Sequence, residues 1–259
     1  MKPHVSDAII LRHSDYGDAD RIVIFYARDL GLLKGFARNA RSSRRRFGAA
    51  LEPFAQVRVH WIAPRGEGLA SLREVELEDL RAGLRARLDA LALAAYGCEL
   101  VEELFGDGAP HPEVFDLLGA FLDAMAHGDG EGLPGIRLLL EMRLLRAAGY
   151  VPHLLHCSEC GDAAAEAEVA FSAARGGRLC ARCASGRAGL WLSPLTLGTL
   201  ARCLKTADVL FSGFRFGAQT LLEGQAVLRD ALALHLSRPL RSQAFLERFS
   251  VGHEPGKGG

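Results

Sequence analysis

Two Cys-x-x-Cys pairs constrain the fold of this chain more than any other feature of its sequence. Nineteen residues separate the pairs, whose members are Cys157, Cys160, Cys180 and Cys183. Four thiolates at this spacing suit a closed tetrahedral Zn²⁺ site, in which the ion is structural because no coordination position stays open. Gly161 follows the first pair and favours a tight turn that directs backbone N–H groups at the sulfurs. The spacing predicts a zinc-binding module over residues 153–190, built on a short hairpin.

Catalytic interpretations fit the sequence less well. A thioredoxin-like site needs one Cys-x-x-Cys at the start of a helix, whereas both pairs lie in polar, Gly-containing segments. A zinc deaminase combines His-x-Glu with Pro-Cys-x-x-Cys; His111 and Glu113 match the first part, but His156 replaces the proline. His153 and His156 could substitute for a cysteine ligand. Neither a GxxxxGK[ST] phosphate loop nor a GxSxG elbow is present, and we expect no enzyme.

The net charge of zero hides an uneven distribution of charge along the 259 residues. Residues 1–60 carry 11 Lys/Arg against 6 Asp/Glu, residues 61–150 carry 8 against 16, and residues 151–259 carry 12 against 9. A basic segment followed by an acidic one indicates a polyanion-binding module joined to a region with another role. No apolar run is long enough for a signal peptide or a membrane span, so we expect a cytoplasmic protein with no membrane partner.

The basic charge of the first segment is concentrated in residues 34–46. Six of these thirteen residues are cationic and none is acidic; the cations are Lys34, Arg38, Arg41, Arg44, Arg45 and Arg46. A surface that follows a phosphate backbone requires fixed positive charge of this kind beside a scaffold. Residues 41–46 would form a mobile loop that holds phosphates by charge alone. The alternative is a solvated arginine loop that binds nothing in particular.

Residues 1–80 predict a barrel that would carry this basic stretch. Runs rich in β-branched residues, separated by turns, indicate strands over 5–12, 21–26, 32–38, 56–62 and 69–75. Five short strands in sequence favour a small closed or nearly closed barrel. Alternation along the third strand places Lys34, Phe36 and Arg38 on one face, as on a base-stacking platform. In the alternative, Phe36 points into the core while the cations reach outward.

Helical periodicity follows the barrel. Apolar residues recur every three or four positions in two parts, 81–152 and 191–250. The first helix should run over about 80–104, unless it breaks near Gly97, and the others over 113–126, 135–148, from Ser193-Pro194 onward and over 221–236. Cys98 and Cys203 lie within these helices and are predicted to be small core residues. The Gly-rich end, 251–259, is predicted to be disordered.

Several short segments between residue 5 and about residue 250 carry a resemblance to a known family. They are Ala8-Ile-Ile-Leu-Arg12, Asp15-Tyr-Gly-Asp18, Gly31-Leu-Leu-Lys-Gly35, Leu51-Glu-Pro-Phe54, the four cysteines, and His235-Leu-Ser-Arg-Pro-Leu-Arg-Ser-Gln-Ala-Phe-Leu246. Each segment alone is weakly specific. In this order, they resemble the bacterial DNA repair and recombination mediator family RecO.

The resemblance implies an α+β multidomain protein with a five-stranded N-terminal OB-fold barrel, an α-helical body and a zinc-binding module. Members of that family bind single- and double-stranded DNA and anneal complementary strands. With RecR and single-stranded DNA-binding protein, they load the recombinase RecA onto gapped DNA. The six cations of residues 34–46 fall where the family places its basic DNA-binding surface. Cytoplasmic, nucleoid-associated localisation is therefore expected.

Two points stay separate from the resemblance. Many family members lack some or all of the cysteines, so the zinc expectation rests on the local spacing of the two pairs. The alternative function is a zinc-containing protein-interaction adaptor, in which the acidic helical body docks partners and the arginine stretch has no direct DNA role.

Overall fold

The computed structural model describes residues 3–64, 66, 68–106, 109–128, 130, 132–164, 168–185 and 189–250, without the side chains of 247–250. The chain divides into two units, residues 1–130 with 239–259 and residues 131–238. The two predicted helical segments each contribute to both units, and the domain boundaries expected from the sequence stay a prediction. The predicted disordered tail lies outside the described residues.

The alternating segments at the start of the chain form five strands that close into a barrel, as predicted. Their bounds are β1 His4–Tyr16, β2 Asp20–Ala27, β3 Gly31–Ala37, β4 Gln56–Ile62 and β5 Ala70–Asp79. Neighbours follow the order β1-β2-β3-β5-β4, and β4 pairs back with β1. All pairs are antiparallel except β3 with β5. A five-stranded barrel of this kind agrees with the expected OB-fold.

Apolar side chains at alternate positions fill the barrel. Phe25, Val57 and Val59 are fully buried among them. Gly35 on β3 leaves room for a side chain of β5, because a Cβ there would lie 2.6 Å from Leu72 Cδ2. β1 extends past its predicted end because a register shift between Ile10 and Arg12 lets its pairing with β2 continue to Tyr16.

The α-helices include every helix predicted from the periodicity, with small shifts of their ends. Their bounds are α1 Leu88–Leu104, α2 Pro112–His127, α3 Leu133–Ala147, α4 Ala181–Ala184, α5 Pro194–Cys203, α6 Ala218–Ala233 and α7 Arg241–Ser250. Ser193 caps α5 as predicted, since its side chain accepts a hydrogen bond from the Leu195 N–H. Two helices are additional to the predicted ones, the one-turn helix α4 and the ten-residue helix α7.

The helix predicted over 80–104 is interrupted at Arg87 and not at Gly97. A 3₁₀ helix, Ala82–Ala86, precedes Arg87, whose extended backbone separates it from α1, and Gly97 is buried within α1. Arg81 fixes the chain before this break, with a left-handed backbone and a buried guanidinium. That guanidinium donates to the Asp123 carboxylate at 2.6 Å, the Phe54 carbonyl at 2.8 Å and the Gln56 side chain at 2.9 Å. A buried cation with three acceptors joins the barrel to α2.

In the first unit, α7 packs on α1. The Glu99 carboxylate of α1 accepts the backbone N–H groups of Arg241 and Ser242 at 3.0 and 2.8 Å, and the Ser242 hydroxyl at 2.6 Å. Both N–H groups belong to the first turn of α7, where backbone N–H groups have no acceptor within their own helix. A carboxylate from a distant helix therefore caps α7.

The second unit combines a small sheet with helices. The strands β6 Val169–Ser172, β7 Gly177–Leu179 and β8 Leu190–Leu192 lie in the order β7-β6-β8. The hairpin of β6 and β7 confirms the predicted one, and β8 is additional. Among the helices, α6 packs against α3 and α5. No helix among the described residues of either unit combines the length and apolarity that a membrane crossing requires.

Candidate nucleic-acid interface and metal centre

The outer face of β3 carries Lys34, Phe36 and, directly after the strand, Arg38. The alternate residues Leu33, Gly35 and Ala37 face the barrel interior. Phe36 is half-buried, and Tyr16 at the end of β1 meets it edge-on, with ring centroids 5.9 Å apart. Tyr16 is itself 57% exposed. Phe36 therefore lies on the outer face, where the two rings stand between cations.

The arginine stretch after β3 forms a series of hydrogen-bonded turns in place of the free loop expected. The Arg41 N–H donates to the Ala19 carbonyl at 3.0 Å, and the Phe47 N–H donates to the Ser43 carbonyl at 3.2 Å. The Val75 N–H of β5 donates to the Arg46 carbonyl at 2.8 Å. These bonds tie the stretch to the barrel at both ends, at the turn between β1 and β2 and at β5.

Two of the predicted arginines already have partners within the protein. Arg46 donates to the Ser43 hydroxyl and to the Arg38 carbonyl, each at 2.9 Å, and its guanidinium lies over the Phe47 ring. Arg41 donates to the Asp18 carbonyl at 3.2 Å, and its Nε lies 3.8 Å from the Asp15 carboxylate. Both side chains hold the turns together.

The other four predicted cations are exposed and have no ion pair or side-chain hydrogen bond with any described residue. They are Lys34, Arg38, Arg44 and Arg45. The opposite wall of the barrel differs. On β4, Arg58 pairs with Asp7 and Glu78, each at 3.3 Å, and His60 lies 2.7 Å from Glu76. Charges are compensated on β4 and left uncompensated around β3, which gives the barrel a basic side.

The four cysteines of the two Cys-x-x-Cys pairs come together in the second unit. Their sulfurs all lie within 4.8 Å of one another, and the sulfurs of Cys160 and Cys180 are 3.7 Å apart. A tetrahedral site with Zn–S bonds of ~2.3 Å has its sulfurs about 3.8 Å apart. The four thiols therefore form a donor set that a single metal ion can satisfy with little movement.

Local backbone structure places these sulfurs. Gly161 adopts a left-handed conformation, φ +76°, and its N–H donates to the Cys157 carbonyl at 2.9 Å. Burial raises the pKa of Cys157, but backbone N–H groups of Cys180, Cys160 and Glu159 outweigh it and lower that pKa to about 6. Cys157 is thus held as a thiolate near neutral pH, which is the form that binds metals.

Neighbouring groups also shift the pKa values of Cys160 and Cys183. The Asp162 N–H, followed by the Arg182 side chain, lowers the pKa of Cys160. A hydrogen bond with Cys180 raises the pKa of Cys183 to about 12. A divalent cation that displaces the thiol protons would allow all the cysteines to be thiolates together, although their pKa values are shifted in opposite directions.

Two arginines support the cluster, although neither was predicted from the sequence. Arg175 donates to Glu159 and to the Cys183 carbonyl, each at 2.8 Å. Arg178 is buried and donates to the carbonyls of Leu155 and Ala164. Their position on the hairpin that joins the two cysteine pairs is the one signal that could have identified them.

The other residues considered from the sequence are not in this cluster. His153 and His156 pack against each other edge-on, with ring centroids 4.7 Å apart, and the metal-ligand cluster found in the described residues contains only cysteines. His111 lies 2.9 Å from Glu113. Cys98 and Cys203 are buried in their helices, and burial raises the pKa of both thiols, that of Cys98 to about 12.

Comparison with known proteins finds matches to both parts of the chain. The family model for the recombination protein O N terminal matches residues 1–81, and the one for the recombination protein O C terminal matches residues 85–244. The DNA repair protein RecO of Syntrophotalea carbinolica is 51% identical over 247 residues, which cover 95% of each chain. That of Geobacter metallireducens is 40% identical over 248 residues, covering 96% of this chain and 98% of the relative.

The chain belongs to the RecO family. The RecO N-terminal match coincides with the barrel and its basic side, and the RecO C-terminal match includes all four cysteines. The expected architecture of an N-terminal five-stranded barrel, a helical body and a cysteine cluster is confirmed. Tyr16 is an aromatic residue of the basic side that we did not predict, because it lies beyond the predicted end of the first strand.

Proposed function

We propose that this RecO-family chain is a non-enzymatic mediator of DNA repair and recombination that binds single- and double-stranded DNA through the basic side of its barrel. The uncompensated charge there supports the proposal most directly. Lys34, Arg38, Arg44 and Arg45 are exposed without acidic partners, while the charges of β4 are paired. Cations without an ion pair contribute the most binding free energy when they contact a phosphate, because no existing ion pair has to be broken.

Phe36 and Tyr16 give the same surface a means to hold single strands. Unpaired bases stack on exposed aromatic rings with little dependence on sequence, whereas bases within a duplex are covered by their neighbours. Arg41 and Arg46 belong to the predicted binding residues, but their intramolecular bonds suggest that they mainly position the turns. We expect them to contribute less to phosphate binding than Arg44 and Arg45.

Annealing requires no bond chemistry from the protein. Two strands that each carry a negative backbone are brought together when cations neutralise that charge, and base pairing then supplies the driving force. We propose that the chain acts in this way with RecR and single-stranded DNA-binding protein to help load the recombinase RecA onto gapped DNA. This role places it in the cytoplasm, associated with the nucleoid.

We propose that Cys157, Cys160, Cys180 and Cys183 hold one structural Zn²⁺. The donor set of four thiols suits this ion, and no open coordination position would remain for catalysis. The ion would supply a cross-link between the turn that carries the first pair and the start of α4, which carries the second. The competing adaptor hypothesis also uses this module, but assigns the DNA surface no role.

A salt titration of oligonucleotide binding tests the proposal. If about six phosphates are neutralised, the slope of log K against log salt on single strands should be roughly −4. The double variant R44Q/R45Q should reduce the steepness of this slope by about 1.4, since it removes two phosphate contacts. The control is R58Q, which removes an exposed arginine of the compensated wall. A wild-type slope near zero would refute DNA binding and favour the adaptor.

The variant design follows the structure. Arg46 is kept because its side chain bonds the Arg38 carbonyl, so that replacing it would disturb the turns as well as the charge. Far-UV circular dichroism of each variant should match the wild type. A loss for R58Q half as large as that for R44Q/R45Q would also contradict the proposal, since it would show that each removed charge counts equally wherever it lies.

A further inference from the structure

The strand β5 contains a bulge at Arg73. In its pairing with β4, Glu74 lies opposite His60 and Leu72 lies opposite Trp61, so Arg73 is an extra residue without a partner on β4. A bulge of this type turns a side chain away from the direction that regular alternation would give it. Leu72 and Val75 stay in the core, while Arg73 is exposed between them.

The register of β3 and β5 places Arg73 beside Arg38. β3 and β5 run parallel, and their last aligned pair is Ala37 with Leu72, both buried. Arg38 and Arg73 are the next residues on the two strands, and both are exposed. Side chains at matching positions of neighbouring strands point to the same side of a sheet. The two guanidinium groups therefore emerge from the same side of the barrel, at the point where β3 ends.

Neither arginine has a counter-ion among the described residues. Asp20, on the β2 side of Arg38, accepts the Asn39 N–H at 2.7 Å, and no carboxylate of the residues that the structure describes lies within 4.0 Å of either guanidinium. Glu74 follows Arg73 in sequence but also forms no ion pair in the described structure. Like charges on neighbouring strands disfavour the sheet unless something neutralises them. Two neighbouring arginines without a counter-ion do not stabilise the barrel, so a bound ligand explains their position better.

We infer that Arg38 and Arg73 together hold one backbone phosphate of a bound nucleic acid, next to the Phe36 and Tyr16 rings. The inference rests on the proposed function and specifies part of its site. Guanidinium groups bind phosphate oxygens through two parallel N–H donors, so two of them can enclose one phosphate. Phe36 precedes Arg38 by two residues on the same face and lies opposite Ser71 of β5. A base attached to that phosphate can therefore reach the rings.

A double-mutant cycle on single-stranded oligonucleotide tests whether the two arginines share one phosphate. R38Q and R73Q should each weaken binding roughly tenfold, and each should reduce the steepness of the salt dependence by about 0.7. The double variant R38Q/R73Q should show little further change in either quantity, because the shared phosphate is already lost. R73K is the conservative variant, which keeps the charge and should retain most of the slope.

The outcomes separate this inference from the proposed function. Steep wild-type binding with an unchanged R73Q would refute the role of Arg73 and leave DNA binding intact. Losses that add, to about 1.4 in slope for the double variant, would show two separate phosphates and also refute the inference. A wild-type slope near zero would refute both. R58Q again serves as the arginine control, and matching circular dichroism spectra show that each variant is folded.

Discussion

The barrel and the cysteine module are held together in different ways. The barrel closes around large apolar side chains such as Phe25 and Trp61. The core of the module consists of Cys157, Ala170, Leu179, Cys180 and Ala184, with Cys183 packed against it. Around the cysteines, this core contains no side chain larger than that of Leu179. Burial of large apolar side chains stabilises the barrel. In the module, cysteine sulfurs occupy positions that large apolar side chains would otherwise fill.

The largest expected difference concerns the metal. Chelation or Cys157→Ser should unfold the module, because metal binding of this type contributes about 10 kcal/mol or more to folding. Hydrogen exchange followed by mass spectrometry should show fast exchange over β6 and β7 and unchanged protection of β1 and β2. Equal loss of protection in the barrel would break the comparison, since it would show that the ion stabilises both regions.

A substitution in the barrel core should produce the converse result. Phe25 is fully buried, and Phe25→Ala should lower the free energy of unfolding of the barrel by about 3–5 kcal/mol through lost burial and a residual cavity. Urea unfolding followed by circular dichroism measures this loss. Metal content, determined by release to a colorimetric chelator after thiol modification, should stay at the wild-type value. A fall in metal content would contradict independent stabilisation of the two regions.

The two regions should also fail at opposite ends of the pH range. Backbone hydrogen bonds outweigh burial and lower the pKa of Cys157, and metal ligands must be thiolates, so the contribution of the cluster is present at neutral and high pH and is lost as pH falls. Burial raises the pKa of Tyr26 to about 12, so its contribution is present below pH 10 and lost as pH rises towards 12. Metal release on acidification and tyrosinate absorbance on alkalinisation check the two limits, with Tyr26→Phe as the control for the second.

The smallest expected effect distinguishes the two kinds of cysteine. Cys98 is buried in α1, away from any ligand role, and Cys98→Ala should cost about 1 kcal/mol, the value of a small apolar group. Its metal content should equal that of the wild type. If Cys98→Ala lost metal as Cys157→Ser does, the assignment of the ligands would be wrong.

Regular periodicity made much of this structure predictable. The barrel strands follow from period-two alternation, and the metal cluster follows from the spacing of two Cys-x-x-Cys pairs. The direction of Phe36 also depends on alternation, although sequence left its two orientations open. Periodicity works at these places because each residue's environment is set by its immediate neighbours in the chain.

Features set by distant contacts were not predictable. The bulge at Arg73 depends on how β5 aligns with both β4 and β3, and the position of the break at Arg87 depends on the acceptors that surround Arg81. The turns of residues 38–47 carry charges typical of a free loop, but a hydrogen bond from Val75 fixes them. Likewise, α7 is short, and its cap is a carboxylate 142 residues earlier in the sequence.

That cap has a consequence for how the protein emerges from the ribosome. Glu99 and the face of α1 around it are synthesised long before α7, and the whole of residues 131–238 is made in between. Contacts between segments so far apart in sequence form late. The barrel can close while translation continues. Until α7 has been made, however, α1 leaves an apolar face and the Glu99 carboxylate exposed. A stalled or truncated chain would keep that surface open to chaperones and to self-association.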